Sequence, residues 1–279
     1  MEATYLPYHF VDHMTSPGLT TWAGTVKLNQ YLCKTTSNGG NDSATSLYSR
    51  LRWMKDGGNG STMNSLVGGV EVDLALKGQG SPSTFIGIWN FMIRNKEQLK
   101  KLNVEVCGRR DKKATDTKVV LRKGNVYDLY FKTNTDRAAL QAMVADRFFG
   151  IDCIGFTSTY LMHNGEWNEY KGATPAQWPM WHCKEKVNKA SEIKPLDFLL
   201  WSGHIAIVDW VWGMVDDKTV LVDVCQSSSG GPQCNEKVQL REMGSFSSGR
   251  RQFQILHRGQ PSMPVHSHCV LGRRAGFYW

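Results

Sequence analysis

The chain holds no apolar run approaching the ~18 to 20 residues a membrane-spanning helix needs, so no transmembrane segment is expected. Met1 to Phe10 mixes charge and aromatics and lacks the apolar core of a secretory leader. The expectation is a soluble protein that does not leave its cell by the general secretory route. CxxC clusters with zinc-site spacing are missing, and so are zinc-finger, RRM and helix-turn-helix signatures. No metal, no cofactor and no specific nucleic acid is therefore expected as a partner. The seven cysteines are an odd number, which excludes complete pairing. If Cys153 stands apart, six remain, of which Cys225 and Cys234 flank a short S-S-S-G-G-P-Q loop that an oxidising space would let them bridge. Mostly reduced thiols fit the sequence equally well.

What is present begins with charge. In 279 residues the formal net charge is +8, and the sequence pI is near 9.1. Basic residues gather at Arg94 to Lys101, Arg109 to Lys113 and Arg250-Arg251. Such a chain is attracted to polyanions, whether cell wall, membrane surface or nucleic acid, although most surface charge is only a solvated face. Ten tryptophans include Trp167, Trp178, Trp181, Trp201, Trp210 and Trp212, which suit either core packing or a rim on which sugar or peptide stacks.

Two segments carry chemistry. In F-G-I-D-C-I-G-F, Phe149 to Phe156, the spacing predicts a helix that starts at Cys153, with Asp152 as N-cap and Gly155 leaving room one turn above the thiol. A preceding helix is predicted from Thr135 as N-cap through Leu140, Met143, Val144 and Phe148, with Gly150 as its stop. In K-P-L-D-F-L-L-W-S-G-H-I-A-I-V, a turn at Lys194 to Asp197 precedes an apolar strand, Phe198 to Trp201. Ser202 and Gly203 then turn the chain, and His204 opens a β-branched strand. The turn Asp216 to Lys218 and a strand Thr219 to Val224 complete an antiparallel meander. A thiol at a helix N-terminus is eased toward the thiolate, and an imidazole beside it supplies the base. Taken singly, each residue also fits an ordinary buried cysteine or a structural histidine.

Together the two segments resemble the NlpC-type papain-like peptidases of bacterial cell walls, with their D-C-S-G-F, K-P-G-D-L-x-F and H-V-G-I-Y motifs. Ile154, Leu196 and Ala206 depart from that pattern, and Ile154 is expected to narrow the groove beside the thiol. The resemblance implies an α+β, papain-like core over residues 131–279, a Cys-bearing helix packed on a His-bearing antiparallel sheet. It implies Cys153 as nucleophile and His204 as general base. The third member would lie on the strand V-L-V-D-V-C-Q, where Asp223 is favoured over Gln226 because an unpaired mid-strand carboxylate would be costly.

Residues 1–130 would then form a separate domain or an elaboration of unknown role. Helical patterns run over Ala44 to Met54 and Ser83 to Lys101, and a hairpin is predicted at Thr117 to Lys132, turning at Lys123-Gly124-Asn125. The functional expectation is a cysteine amidase or endopeptidase that cuts peptidoglycan stem peptides. Without a leader, it would be delivered by a specialised secretion machine as an antibacterial toxin into a target periplasm. An immunity protein or a carrier of the machine would be its partner. A cysteine protease, deamidase or acyltransferase acting on a protein or lipid of a target cell is the alternative, and a non-catalytic binding module is the third reading.

Overall fold

The computed structural model describes residues 82–111, 119–146, 148–163, 177–228, 231–257, 260–261 and 268–274. Short pieces at 9–11, 25–27 and 29–30 and scattered positions between 47 and 79 are also described. The chain divides into two compact units, one of residues 7–152 with 229–231, the other of residues 1–6, 153–228 and 232–279.

Among its described residues the first unit carries three small sheets, three α-helices from Pro82 onward and scattered helical positions before them. Strand β1 (His9–Val11) pairs antiparallel with β2 (Thr25–Lys27), and β3 (Asn29–Gln30) runs parallel to β6 (Gly150–Ile151). Between them in sequence, β4 (Glu105–Asp111) and β5 (Val119–Asn125) form an antiparallel hairpin in which Glu105 faces Asn125 and Asp111 faces Val119. The predicted hairpin is thus displaced. Lys123, Gly124 and Asn125 end β5, and the chain runs on into a π-helical turn at Tyr127–Phe131. Its Tyr130 hydroxyl donates to the fully buried Asp146 carboxylate at 2.8 Å.

Two helices, α1 (Pro82–Arg94) and α2 (Lys96–Lys101), replace the single run expected over Ser83 to Lys101. They part at Asn95, whose side-chain amide donates back to the Phe91 carbonyl at 2.7 Å. Leu47, Arg50, Leu51 and Trp53 are helical, while the rest of the Ala44 to Met54 pattern lies outside the described residues. Helix α3 (Asp136–Ala145) starts as predicted, the Thr135 hydroxyl accepting from the Ala138 N–H at 3.3 Å. It ends at Ala145, ahead of Gly150, which belongs to β6.

The second unit holds helices α4 (Cys153–His163) and α5 (Trp178–Trp181) and strands β7 (Glu185–Val187), β8 (Phe198–Trp201), β9 (His204–Asp216), β10 (Thr219–Ser228), β11 (Gly231–Ser247), β12 (Arg250–His257), β13 (Gln260–Pro261) and β14 (His268–Arg273). Neighbouring strands follow the order β12, β11, β10, β9, β8, β14, and β14 pairs again with β12 through Gln252–Val270, Phe253–Cys269 and Gln254–His268. The ring is closed. The unit is therefore a closed six-stranded antiparallel β-barrel with few helices, and this corrects the papain-like α+β core, a helix on an open sheet, expected from the motifs.

The closure was hidden because it joins residues far apart in the chain, and local periodicity reports only the period of each strand. The barrel is filled by alternate residues: Leu199; Ala206 and Val208; Val220, Val222 and Val224; Val238 and Leu240; Phe253 and Ile255; Cys269 and Leu271. Arg250 pins the seam. Its guanidinium, buried at the end of a tight turn, donates to the carbonyls of Glu185, Leu271 and Cys183 at 2.9, 3.0 and 3.1 Å. Gly272 must stay small there, since a Cβ would lie 2.7 Å from that of Cys183. The Arg250-Arg251 pair is accordingly no open basic patch, because Arg251 in turn donates to the Met243 carbonyl at 2.7 Å. Among the described residues, no helix is long and apolar enough to cross a membrane.

Candidate active site

Cys153 is the first residue of α4, as the motif predicts. The helix is buried on every side from Cys153 to Leu161, and the Thr157 hydroxyl donates to the Cys153 carbonyl at 2.8 Å, holding the first turn. Ile154, expected beside a substrate groove, is instead a core residue, 1% exposed. Helix α4 lies against β9 and β10, the two strands that bear His204 and Gln226. Cys153, Cys183 and Cys269 are thiols, whereas Cys225 and Cys234 form a disulfide. Burial pushes the Cys183 thiol up to about 12 and the Cys269 thiol higher still.

The approach to His204 is built by two turns. In the first, Asp197 N–H returns to the Lys194 carbonyl at 3.2 Å, with Pro195 and Leu196 at the corner. Leu196 sits at φ 69°, a left-handed conformation that favours glycine at this point of a turn opened by proline. Two backbone bonds, Leu196 N–H to Val208 O at 2.7 Å and Val208 N–H to Asp197 O at 2.8 Å, fasten this turn to β9. The buried Asp197 carboxylate receives Arg273 in a two-pronged pair at 2.7 and 2.8 Å. In the second turn, Gly203 at φ 76° lets Ser202-Gly203 close the β8–β9 hairpin in two residues, pairing Trp201 with His204. The Trp201 ring packs on the imidazole at a centroid distance of 4.9 Å.

His204 and Gln226 meet, Nε2 to Oε1, at 2.7 Å. An amide oxygen only accepts, so Nε2 carries the proton and the Nδ1 lone pair is the basic site of the neutral ring. The favoured Asp223 is not the partner. Its Oδ1 accepts from the Trp212 indole at 2.8 Å and from the Lys237 N–H at 2.7 Å. The cause is strand alternation. Val222 and Val224 point into the barrel with Ala206 and Val208, and Gln226 continues that row, as His204 does on β9. Asp223 and Cys225 belong to the opposite row. The expectation that a mid-strand carboxylate needs a partner was sound, but the partners are an indole and a backbone N–H. Trp178 is fully buried, whereas Trp181, Trp210 and Trp212 are exposed. Trp167 lies outside the described residues.

A second group went unread in the sequence. Asp209 of β9, buried, accepts a hydrogen bond from the Tyr160 hydroxyl of α4. Burial raises the Asp209 carboxyl above its ordinary range, and the tyrosine bond partly opposes this. Its carboxylate stands beside the sulfurs of Cys225 and Cys234, all three within 4.8 Å of one another. Only the pairing of three strands brings these residues together, so no local motif announces them.

Set against known proteins, the chain matches no family model, no curated protein and no solved structure.

Proposed function

We propose that this chain is a thiol-dependent hydrolase of amide bonds, with Cys153 as nucleophile, His204 as general base and Gln226 as the group that orients the base. The hydrogen bond from His204 Nε2 to Gln226 Oε1 carries the reading. A base aligned by an acceptor on its far nitrogen is the arrangement nucleophilic catalysis requires. The position of Cys153 at the head of a helix packed on the same strands supports its assignment as nucleophile.

In this mechanism His204 Nδ1 takes the Cys153 thiol proton, and the thiolate attacks the amide carbonyl. The developing oxyanion lies toward the helix N-terminus, where backbone N–H groups point outward and the dipole favours negative charge. The C–N bond then breaks as His204 returns the proton to the departing amine. Water, deprotonated by His204, cleaves the thioester and regenerates Cys153. Gln226 holds the ring throughout and reacts with nothing.

The motifs around Cys153 and His204 point to peptidoglycan stem peptides as the substrate, and the basic charge of the chain suits an anionic envelope. The Cys225–Cys234 disulfide fits action in an oxidising compartment such as a target periplasm, with delivery by a specialised secretion machine. The test is incubation of purified peptidoglycan with the protein, followed by mass spectrometry of the released fragments. New amine and carboxyl ends that disappear with Cys153→Ala are expected. Intact peptidoglycan, or cleavage that survives Cys153→Ala, would sink the reading.

A further inference from the structure

The residues Asp209, Cys225 and Cys234 lie on three neighbouring strands, β9, β10 and β11. Asp209 and Cys225 are buried, and Cys234 is half-buried. With the sulfurs joined, the cluster is closed to ligands. In the disulfide form the two sulfurs and the carboxylate already lie within 4.8 Å of one another, so reduction would leave two thiols and a carboxylate side by side. We infer that the reduced chain uses Cys225, Cys234 and Asp209 as a zinc site, so that one pair of cysteines alternates between a disulfide and a metal centre.

Three observations converge on this. Two thiolates are soft ligands that favour zinc over magnesium or calcium, and a carboxylate oxygen is a further zinc donor that brings the set to three. The ligands come from paired strands, so the backbone already holds them together and little ordering is left for the ion to impose. The Tyr160 hydroxyl, bonded to the Asp209 carboxylate, orients that ligand from outside, as a second layer around a metal does. Three protein ligands leave the fourth position of a tetrahedral ion for water.

The interconversion balances without electrons from the metal. Two equivalents of a small monothiol reduce the disulfide through a mixed disulfide, giving two protein thiols and one external disulfide. Zinc then displaces the two thiol protons, which pass to solvent, and the sulfurs remain at the same oxidation level. Oxidation by a thiol oxidase or a disulfide donor would expel the ion. The site is independent of the proposed hydrolysis, and its test needs no peptidoglycan.

The full chain is reduced with a phosphine, freed of metal with a chelator and titrated with zinc chloride against a chromophoric competitor. The disulfide form serves as the control. One tightly held zinc per reduced chain and none on the oxidised chain are expected. Cobalt in place of zinc should give a thiolate-to-cobalt charge-transfer band. In the wild-type protein, zinc should shield Cys225 and Cys234 from alkylation in peptide maps. Cys225→Ser and Cys234→Ser should abolish the band, and Tyr160→Phe should weaken zinc binding about ten- to hundredfold. Should a serine variant fail to fold, the wild-type shielding pattern and Tyr160→Phe decide alone. Equal zinc uptake by oxidised and reduced chains, shielding of other cysteines only, or no stoichiometric zinc would each overturn the inference.

Discussion

The His204 ring lies between Trp201, whose tilted ring packs against it at a centroid distance of 4.9 Å, and Gln226, which accepts from its Nε2 at 2.7 Å. One contact limits the tilt of the ring, and the other selects its tautomer. Asp223 spends its carboxylate on Trp212 and Lys237.

Gln226→Ala should therefore lower turnover by about ten- to ten-thousandfold, the range of an orienting group that does not react. Asp223→Ala should leave turnover nearly intact and instead loosen the contact of Trp212 with β10. Nitrogen NMR of His204 checks the cause, since its proton should lose its preference for Nε2 only in Gln226→Ala. A large loss in Asp223→Ala with normal Gln226→Ala kinetics would reverse the assignment.

Cys153→Ala and His204→Ala should each abolish hydrolysis with the fold preserved by circular dichroism. Groups that act as one unit lose activity non-additively, so the double variant should be little slower than either single one. Losses that multiply would show that the two do not share a step.

Thiol reactivity should separate the three thiols among the described residues. A raised pKa keeps a thiol protonated, so at pH 7 Cys183, pushed up to about 12, and the still more shifted Cys269 remain inert. Iodoacetamide at that pH should mark Cys153 ahead of both in peptide maps. Faster labelling of Cys183 or Cys269 than of Cys153 would contradict the nucleophile assignment.

The Arg273–Asp197 pair offers a stability test away from the chemistry. Arg273→Met leaves the Asp197 carboxylate buried beside the Lys194 N–H, at 2.8 Å, without its cation. Removing one partner of a buried pair costs about 3–5 kcal/mol, whereas replacing both by apolar residues is often neutral. Urea unfolding should show that loss in Arg273→Met and its recovery in Arg273→Met/Asp197→Leu. Equal stability of Arg273→Met and wild type would mean that water already screens the pair.

Location of action gives a cellular check. Cytoplasmic expression in a Gram-negative host should be nearly harmless, since peptidoglycan is absent there. Fusion to a periplasmic leader should cause rounding or lysis that Cys153→Ala prevents. Toxicity confined to the cytoplasm would favour a protein or lipid substrate.

The parts legible in sequence are those written in adjacent residues. Thr135 caps α3, Cys153 opens α4, Lys194 to Asp197 turn, and β8, β9 and β10 follow as a meander. Whatever depends on pairing between distant strands was not legible. Both Asp223 and Gln226 sit on one strand with opposite faces, and choosing between them requires knowing which face meets His204. Register shifts between β9 and β10, at Thr219/Val220, Leu221/Val222 and Asp223/Val224, further break any simple count. The hairpin was misplaced for a related reason. Lys123-Gly124-Asn125 has turn chemistry, yet that stretch pairs with Glu105 to Cys107, and its glycine ends a strand.

Strand β14 completes the ring with β8 on one side and β12 on the other, and it is the last barrel strand in chain order. A growing chain still short of His268 has already made His204 and Gln226 but leaves two rows of backbone donors and acceptors open. Closing them brings Val270 to Leu200, a long-range pairing of the kind that slows folding. The scaffold beneath the proposed site is therefore finished only after its own residues have left the ribosome. A stop introduced anywhere between β8 and β14 leaves those edges open and should yield an aggregating product in place of a weakened enzyme.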